Sequence, residues 1–202
     1  RVGKVNQHQL RTGRLDDDDW RRIVETTGHM QGARVVIEET FDLRPESLRA
    51  KARRMRRENP DLALVVVDYI QLVEAGAEKR VDQLAEITRG LKRIAKELSI
   101  PVVALSQLNR SVESRTNKRP MMADLRDSGC IEQDADLILF LYREEMYSED
   151  TPNPGLCEVI IGKQRNGPVG TVHLTFLSQF ARFENWAGDI VKHRAKPRSV
   201  AF

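Results

Sequence analysis

Three short stretches of the chain are apolar on successive residues: LALVVVD at 62–68, PVVALSQ at 101–107 and ADLILFLY at 135–142. A strand with one face in water alternates apolar and polar side chains. Runs that are apolar on both faces belong to strands covered on both faces, as in parallel sheets flanked by helices. A long helical periodicity from about Arg80 to Leu98 separates the first two runs, and a polar segment rich in Arg, Asn and Lys precedes the third. Strand and helix in alternation predict an α/β fold with a mostly parallel sheet.

Past Tyr142 the rhythm changes. CEVIIGKQ, GTVHLTFL and ARFENW are closely spaced strand-like pieces, separated by Gly, Pro and Asn with no room for helices, so this end is expected to be antiparallel. TPNPG, at 151–155, is a loop by composition. Upstream, Asp16 to Asp19 precede an amphipathic stretch running to about Met30. Acidic residues suit a helix N-terminus, where the dipole is positive, so these aspartates read as capping and not as metal ligands. ARVVIEE, at 33–39, is expected to be a short strand, and Pro45 opens a helix through about Asn59. The expected organisation is one domain over residues 1–187 and a basic tail over 188–202, which is expected to be mobile.

Several function classes are excluded. No apolar run approaches the length of a membrane span, and RVGKVNQHQL lacks the apolar middle of a secretion signal, so the expected location is cytoplasmic with no membrane partner. Cys130 and Cys157 have no CxxC spacing and His8, His29, His173 and His193 are scattered, which indicates neither a zinc site nor a disulfide framework. A net charge of +3 is too modest to mark a nucleic-acid binder. The basic run KARRMRR, at 51–57, lies in a helical pattern whose Leu48, Ala52 and Met55 share one face, so its arginines read as a solvated helix surface.

Two strand ends carry candidate chemistry. Asp68 closes VVVD, at the carboxyl end of a buried strand, where open α/β sheets place ligands. There an Asp can hold a magnesium ion through water in a nucleotide motor, or can serve as a turn or cap residue. Gln107, in SQLNR at 106–110, ends the next apolar run and is expected beside Asp68. Its amide can both donate and accept, which suits sensing a γ-phosphate or holding an attacking water; a polar strand terminus capping a helix is the alternative.

Five segments go further: LRTGRLDDDDW, VVVDYIQL, SQLNRSVESR, DLRDSGCIEQDADLILFLYR and GKQRNGPVGTVHLTF. In this order, over Leu10 to Phe183, they closely resemble the motifs of DnaB-type replicative helicases. The resemblance implies a RecA-like motor domain that assembles into a homohexameric ring, hydrolyses ATP with Mg2+ between neighbouring subunits and moves along single-stranded DNA, with primase and a helicase loader as partners. By position, Asp68 matches the Walker B acid and Gln107 the phosphate-sensing glutamine. Arg126, Asp127 and Gly129 match the DNA-contacting loop, where the family usually has Glu in place of Asp127. Lys163 and Arg165 match the basic pair that reaches into the nucleotide site of the next subunit. A guanidinium aimed at the γ-phosphate would offset charge that builds in the transition state; a charged hairpin edge is the plainer alternative.

The departure from the family is an absence. No stretch fits GxxxxGK[ST], and Gly162-Lys163 is followed by Gln164. The family's first strand and the catalytic Glu after that loop are also lacking. A piece of a complete helicase, inactive by itself, is expected from the abrupt start. A non-enzymatic ring subunit or interaction module is the other reading, and a phage primase-helicase or recombinase-like ATPase a third.

Overall fold

The computed structural model describes residues 2–39, 44–73, 75–77, 79–125 and 129–191. The chain divides into two compact units, one of Arg1–Val36, Leu141–Val159 and Thr171–Phe202, the other of Ile37–Phe140 and Ile160–Gly170. Among the described residues no helix is long and apolar enough to cross a membrane.

Local chemistry sets the helices of the first unit. Helix α1, Gln7–Thr12, starts where Asn6 Oδ1 accepts from the His8 N–H over 2.9 Å and ends at Gly13, whose φ of 71° is the left-handed conformation that glycine adopts at no steric cost. Helix α2, Asp17–Met30, opens on a capping box: the Asp19 N–H donates to Asp16 Oδ1 over 2.7 Å while Asp19 Oδ2 accepts from the Asp16 N–H. Asp19 is buried and takes a further hydrogen bond from Arg22 at 2.7 Å. The aspartate run is therefore a helix start, as its composition suggested.

The second unit holds the apolar core. Helix α3, Pro45–Glu58, has its proline where a missing N–H costs nothing, and strand β1, Val65–Val67, follows. Helix α4, Arg80–Leu98, leads to strand β2, Val102–Ala104. The two strands are parallel, with Val65 opposite Val102, Val66 opposite Val103 and Val67 opposite Ala104. Leu84, Ile87, Leu91 and Ile94 form the buried stripe of α4, at the spacing of one helix face, and join Ala52 and Val67 in the core. Each large side chain buried this way contributes about 1.5–3 kcal/mol. Gly90 lets α3 and α4 approach closely, because a Cβ there would lie 2.8 Å from the Pro45 Cβ.

Helix α5, Gly129–Asp134, precedes strand β3, Leu137–Tyr142, and then come β4, Leu156–Gln164, β5, Gly170–Leu177, and β6, Arg182–Asn185. These strands form one sheet in the order β3-β4-β5-β6, with β5 and β6 antiparallel and Leu174 opposite Asn185. The third apolar run thus pairs into the sheet of the hairpins, while β1 and β2 form the parallel pair.

One expected element is corrected. ARVVIEE forms no strand: residues 33–39 make no ladder among the described residues, and Val35, Val36 and Ile37 are 70%, 57% and 81% exposed. β propensity is realised only against a neighbouring strand. The expected mobile tail falls largely on residues 192–202, outside the described residues.

Candidate functional site

The parallel ladder carries Asp68 and Gln107 to the same end of the sheet. Past the last paired residues, the Leu105 N–H donates to the Val67 carbonyl and the Ile70 N–H donates to the Leu105 carbonyl, both at 2.9 Å. The chain after β1 then makes a 3-10 turn, Ile70–Leu72, anchored by buried Ile70 and Val73. From that turn Gln71 reaches across the strand ends: its Nε2 donates to Ser106 Oγ over 2.9 Å, and its Oε1 accepts from the Gln107 N–H over 3.3 Å. Asp68 and the Gln107 side chain stand exposed beside this bridge. Sequence reasoning missed Gln71. Its only signal was a side chain able to donate and accept, three residues past the strand-end acid.

The segment after Gln107 runs directly to the base of the candidate DNA loop. Leu108 pairs with Leu125 in an isolated antiparallel bridge, and the Asn109 N–H donates to the Asp124 carbonyl over 2.7 Å. Asp124 is 3% exposed; its Oδ2 accepts from the Met121 N–H at 2.8 Å and from Arg115 Nη2 at 2.6 Å. Its carboxylate is thus bound to Arg115. Arg126 and Asp127 lie outside the described residues, and Gly129 is exposed at the first position of α5.

Lys163 and Arg165 sit at the end of β4 and just beyond it, on different elements from Asp68 and Gln107. The Arg165 N–H donates to the Asp136 carbonyl over 2.8 Å, and its Nη1 donates to Asp136 Oδ1 over 3.2 Å. Lys92, from α4, binds Asp136 Oδ2. Lys92 first and Arg165 second hold the Asp136 carboxyl below the usual carboxylate range through their hydrogen bonds. Lys163 Nζ donates to the Glu132 carbonyl near the C-terminus of α5, where helix carbonyls favour a cation. Gly162 lets β4 lie close against Phe140, because a Cβ there would stand 2.5 Å from its Cε2. On the surface of α3, Arg53 of the basic run and the preceding Arg49 bind Glu97 of α4, and Arg54 binds Glu38.

Residues 1–185 match the family model described as the DnaB-like helicase C terminal domain. The chain belongs to the DnaB-like helicase C-terminal domain family. It is 50% identical over 191 residues to the replicative DNA helicase DnaB of Buchnera aphidicola subsp. Acyrthosiphon pisum (strain APS), covering 93% of this chain and 42% of that protein. It is 51% identical over 190 residues to that of Pasteurella multocida (strain Pm70), covering 92% and 41%. The DnaB-like region here spans about two-fifths of the length of these curated relatives. Among solved structures, an ATPase domain superimposes with a TM-score of 0.86 at 39% identity, over 92% of this chain and 67% of that one. The structure of a DnaB-like replicative helicase and its interactions with primase superimposes at 0.87 and 39% identity, over 92% and 45%. The fold is RecA-like, with a parallel pair, an antiparallel sheet and flanking helices.

Of the magnesium nucleotide that the family implies, the residues present fit the metal side only, since the chain holds no GxxxxGK[ST] loop for the phosphates. Among the described residues there is no cluster of three or more His, Cys, Asp or Glu able to hold a metal alone. A magnesium ion that keeps its waters and binds phosphate oxygens needs only one or two protein carboxylates, and exposed Asp68 can serve as one.

Proposed function

We propose that the chain is the greater part of the motor of a replicative DNA helicase that hydrolyses ATP, moves along single-stranded DNA and unwinds duplex as a cytoplasmic homohexameric ring, with primase and a helicase loader as partners. The observation that carries this reading is the shared end of β1 and β2, where Asp68 and Gln107 leave adjacent parallel strands and Gln71 bonds across them. Asp68 would hold the magnesium ion there, which would supply charge neutralisation on the phosphates. The exposed Gln107 amide donates to the γ-phosphate or orients the attacking water.

The isolated bridge between Leu108 and Leu125 joins the segment after Gln107 to the chain that leads to Arg126, Asp127 and Gly129, which match the family's DNA-contacting loop. Arg165, supported by Lys163, enters the site of the neighbouring subunit and offsets charge in the transition state. By itself the 202-residue chain does not turn over ATP, because it holds no GxxxxGK[ST] loop to cradle phosphates.

The test is DNA-stimulated ATP hydrolysis by the full-length protein. Asp68→Asn abolishes it, and Arg165→Ala collapses kcat while leaving nucleotide affinity within a modest factor. In mixed rings, subunits lacking Arg165 are complemented by neighbours that retain it but carry Asp68→Asn. Wild-type turnover in the Asp68→Asn protein would overturn the reading.

A further inference from the structure

Arg165 is held at both its backbone and its side chain by one residue. Asp136, just before β3, accepts the Arg165 N–H at its carbonyl and the guanidinium Nη1 at its carboxylate Oδ1, over 2.8 and 3.2 Å. The other carboxylate oxygen, Oδ2, is occupied by Lys92. Lys92 in turn belongs to α4, whose Ile87 and Leu91 lie in the core and whose Thr88 hydroxyl donates to Asp134 Oδ2 over 2.5 Å. A connected path therefore runs from the packed core through α4, Lys92 and Asp136 to the guanidinium.

We propose that Asp136, oriented by Lys92, is a positioning residue that sets the direction in which Arg165 is presented. A guanidinium has five N–H donors in a rigid fork, so engaging Nη1 leaves others to meet a phosphate. The pair is 67% and 58% exposed at its side chains, and ion pairs that open contribute little to stability. The effect of losing it falls on geometry: a long arginine freed at its tip samples many rotamers, and turnover drops by the fraction that no longer point at the phosphate. This inference rests on the reading of Arg165 as the residue that completes a neighbouring nucleotide site.

The experiment is a double-mutant cycle in the full-length helicase, with kcat and KM for ATP measured on single-stranded DNA and melting curves on the same samples. Asp136→Ala is expected to lower kcat about 10- to 100-fold with little change in KM. Asp136→Glu recovers part of the loss, and Asp136→Ala adds nothing once Arg165→Ala is present. Wild-type or raised kcat in Asp136→Ala, while Arg165→Ala collapses turnover, sinks the positioning role and leaves the reading of Arg165 intact. A further loss in the double mutant, or a kcat loss that tracks a fall in melting temperature, also overturns it by showing that Asp136 acts independently or through folding. Wild-type turnover in Arg165→Ala removes the underlying reading, and the inference with it.

Discussion

Gln71 and Ser106 are joined by a 2.9 Å hydrogen bond that ties the turn after β1 to the end of β2. The same amide accepts the Gln107 N–H, so one side chain bridges the turn after Asp68 and the chain that leaves β2 at Ser106 and Gln107. Gln71→Leu in the full-length protein is expected to lower kcat for ATP by about tenfold, with KM moving much less, because both partners remain but their relative placement loosens. Ser106→Ala removes one of the bonds and has a smaller effect. Steady-state kinetics of both variants check this; equal kcat in Gln71→Leu and the wild type would show that the bridge is dispensable.

Arg126 stands in the segment that follows the Leu108 to Leu125 bridge, and we propose that it contacts DNA phosphates without reading bases. Arg126→Ala in the assembled ring is expected to weaken single-strand binding about equally for all sequences and to reduce the salt slope by roughly one charge or less. Affinity over a salt series, with a melting curve alongside, decides it: an unchanged slope with a lowered melting temperature assigns the arginine to the fold.

The base of that loop depends on a buried charge. Asp124 is 3% exposed and is held by Arg115, so Arg115→Ala leaves a carboxylate out of water with the Met121 N–H as its remaining donor among the bonds described above. The expected cost is about 3 kcal/mol, at the low end for a broken buried pair because Arg115 is itself 29% exposed. Chemical denaturation of the full-length protein measures it, and a change below about 0.5 kcal/mol, the scale of an ordinary surface substitution, would refute it.

The two cysteines differ in access. Cys157 is 1% exposed, and burial pushes its thiol up from the ordinary value, whereas Cys130 is partly exposed. A raised pKa means less thiolate at any pH below it, and the thiolate is the reactive form. Maleimide at neutral pH is therefore expected to label Cys130 well before Cys157, with Cys157 labelling accelerating as pH rises. Peptide mass spectrometry over a pH series reads both, and faster labelling of Cys157 would contradict its burial.

Much of the local structure was legible beforehand, and the reasons are local too. The start of α3 at Pro45, the span of α4 from Arg80 to Leu98 and the capping role of Asp16 and Asp19 rest on contacts within a turn or two of chain. ARVVIEE misled because it has strand composition but, among the described residues, no strand to pair with. The candidate residues were named from strand ends and motif likeness, and neither source points to Gln71 or Asp136. Gln71 meets Ser106 across 35 residues and Asp136 meets Arg165 across 29.

By itself, then, the sequence determined the spans of α2, α3 and α4, the strand character of the apolar runs before Asp68, Gln107 and Tyr142, and where Asp68, Gln107, Lys163 and Arg165 fall along the chain. Only the tertiary structure decided what holds these residues in place. The parallel register of Val67 with Ala104 lines up the two strand ends for Gln71, and Arg165 meets Asp136 where β3 begins and β4 ends. Helix caps and periodicity act over a few bonds and can be read from neighbouring letters. Hydrogen bonds between residues so far apart in the chain exist only after α4 has crossed between its strands and the core has fixed their register.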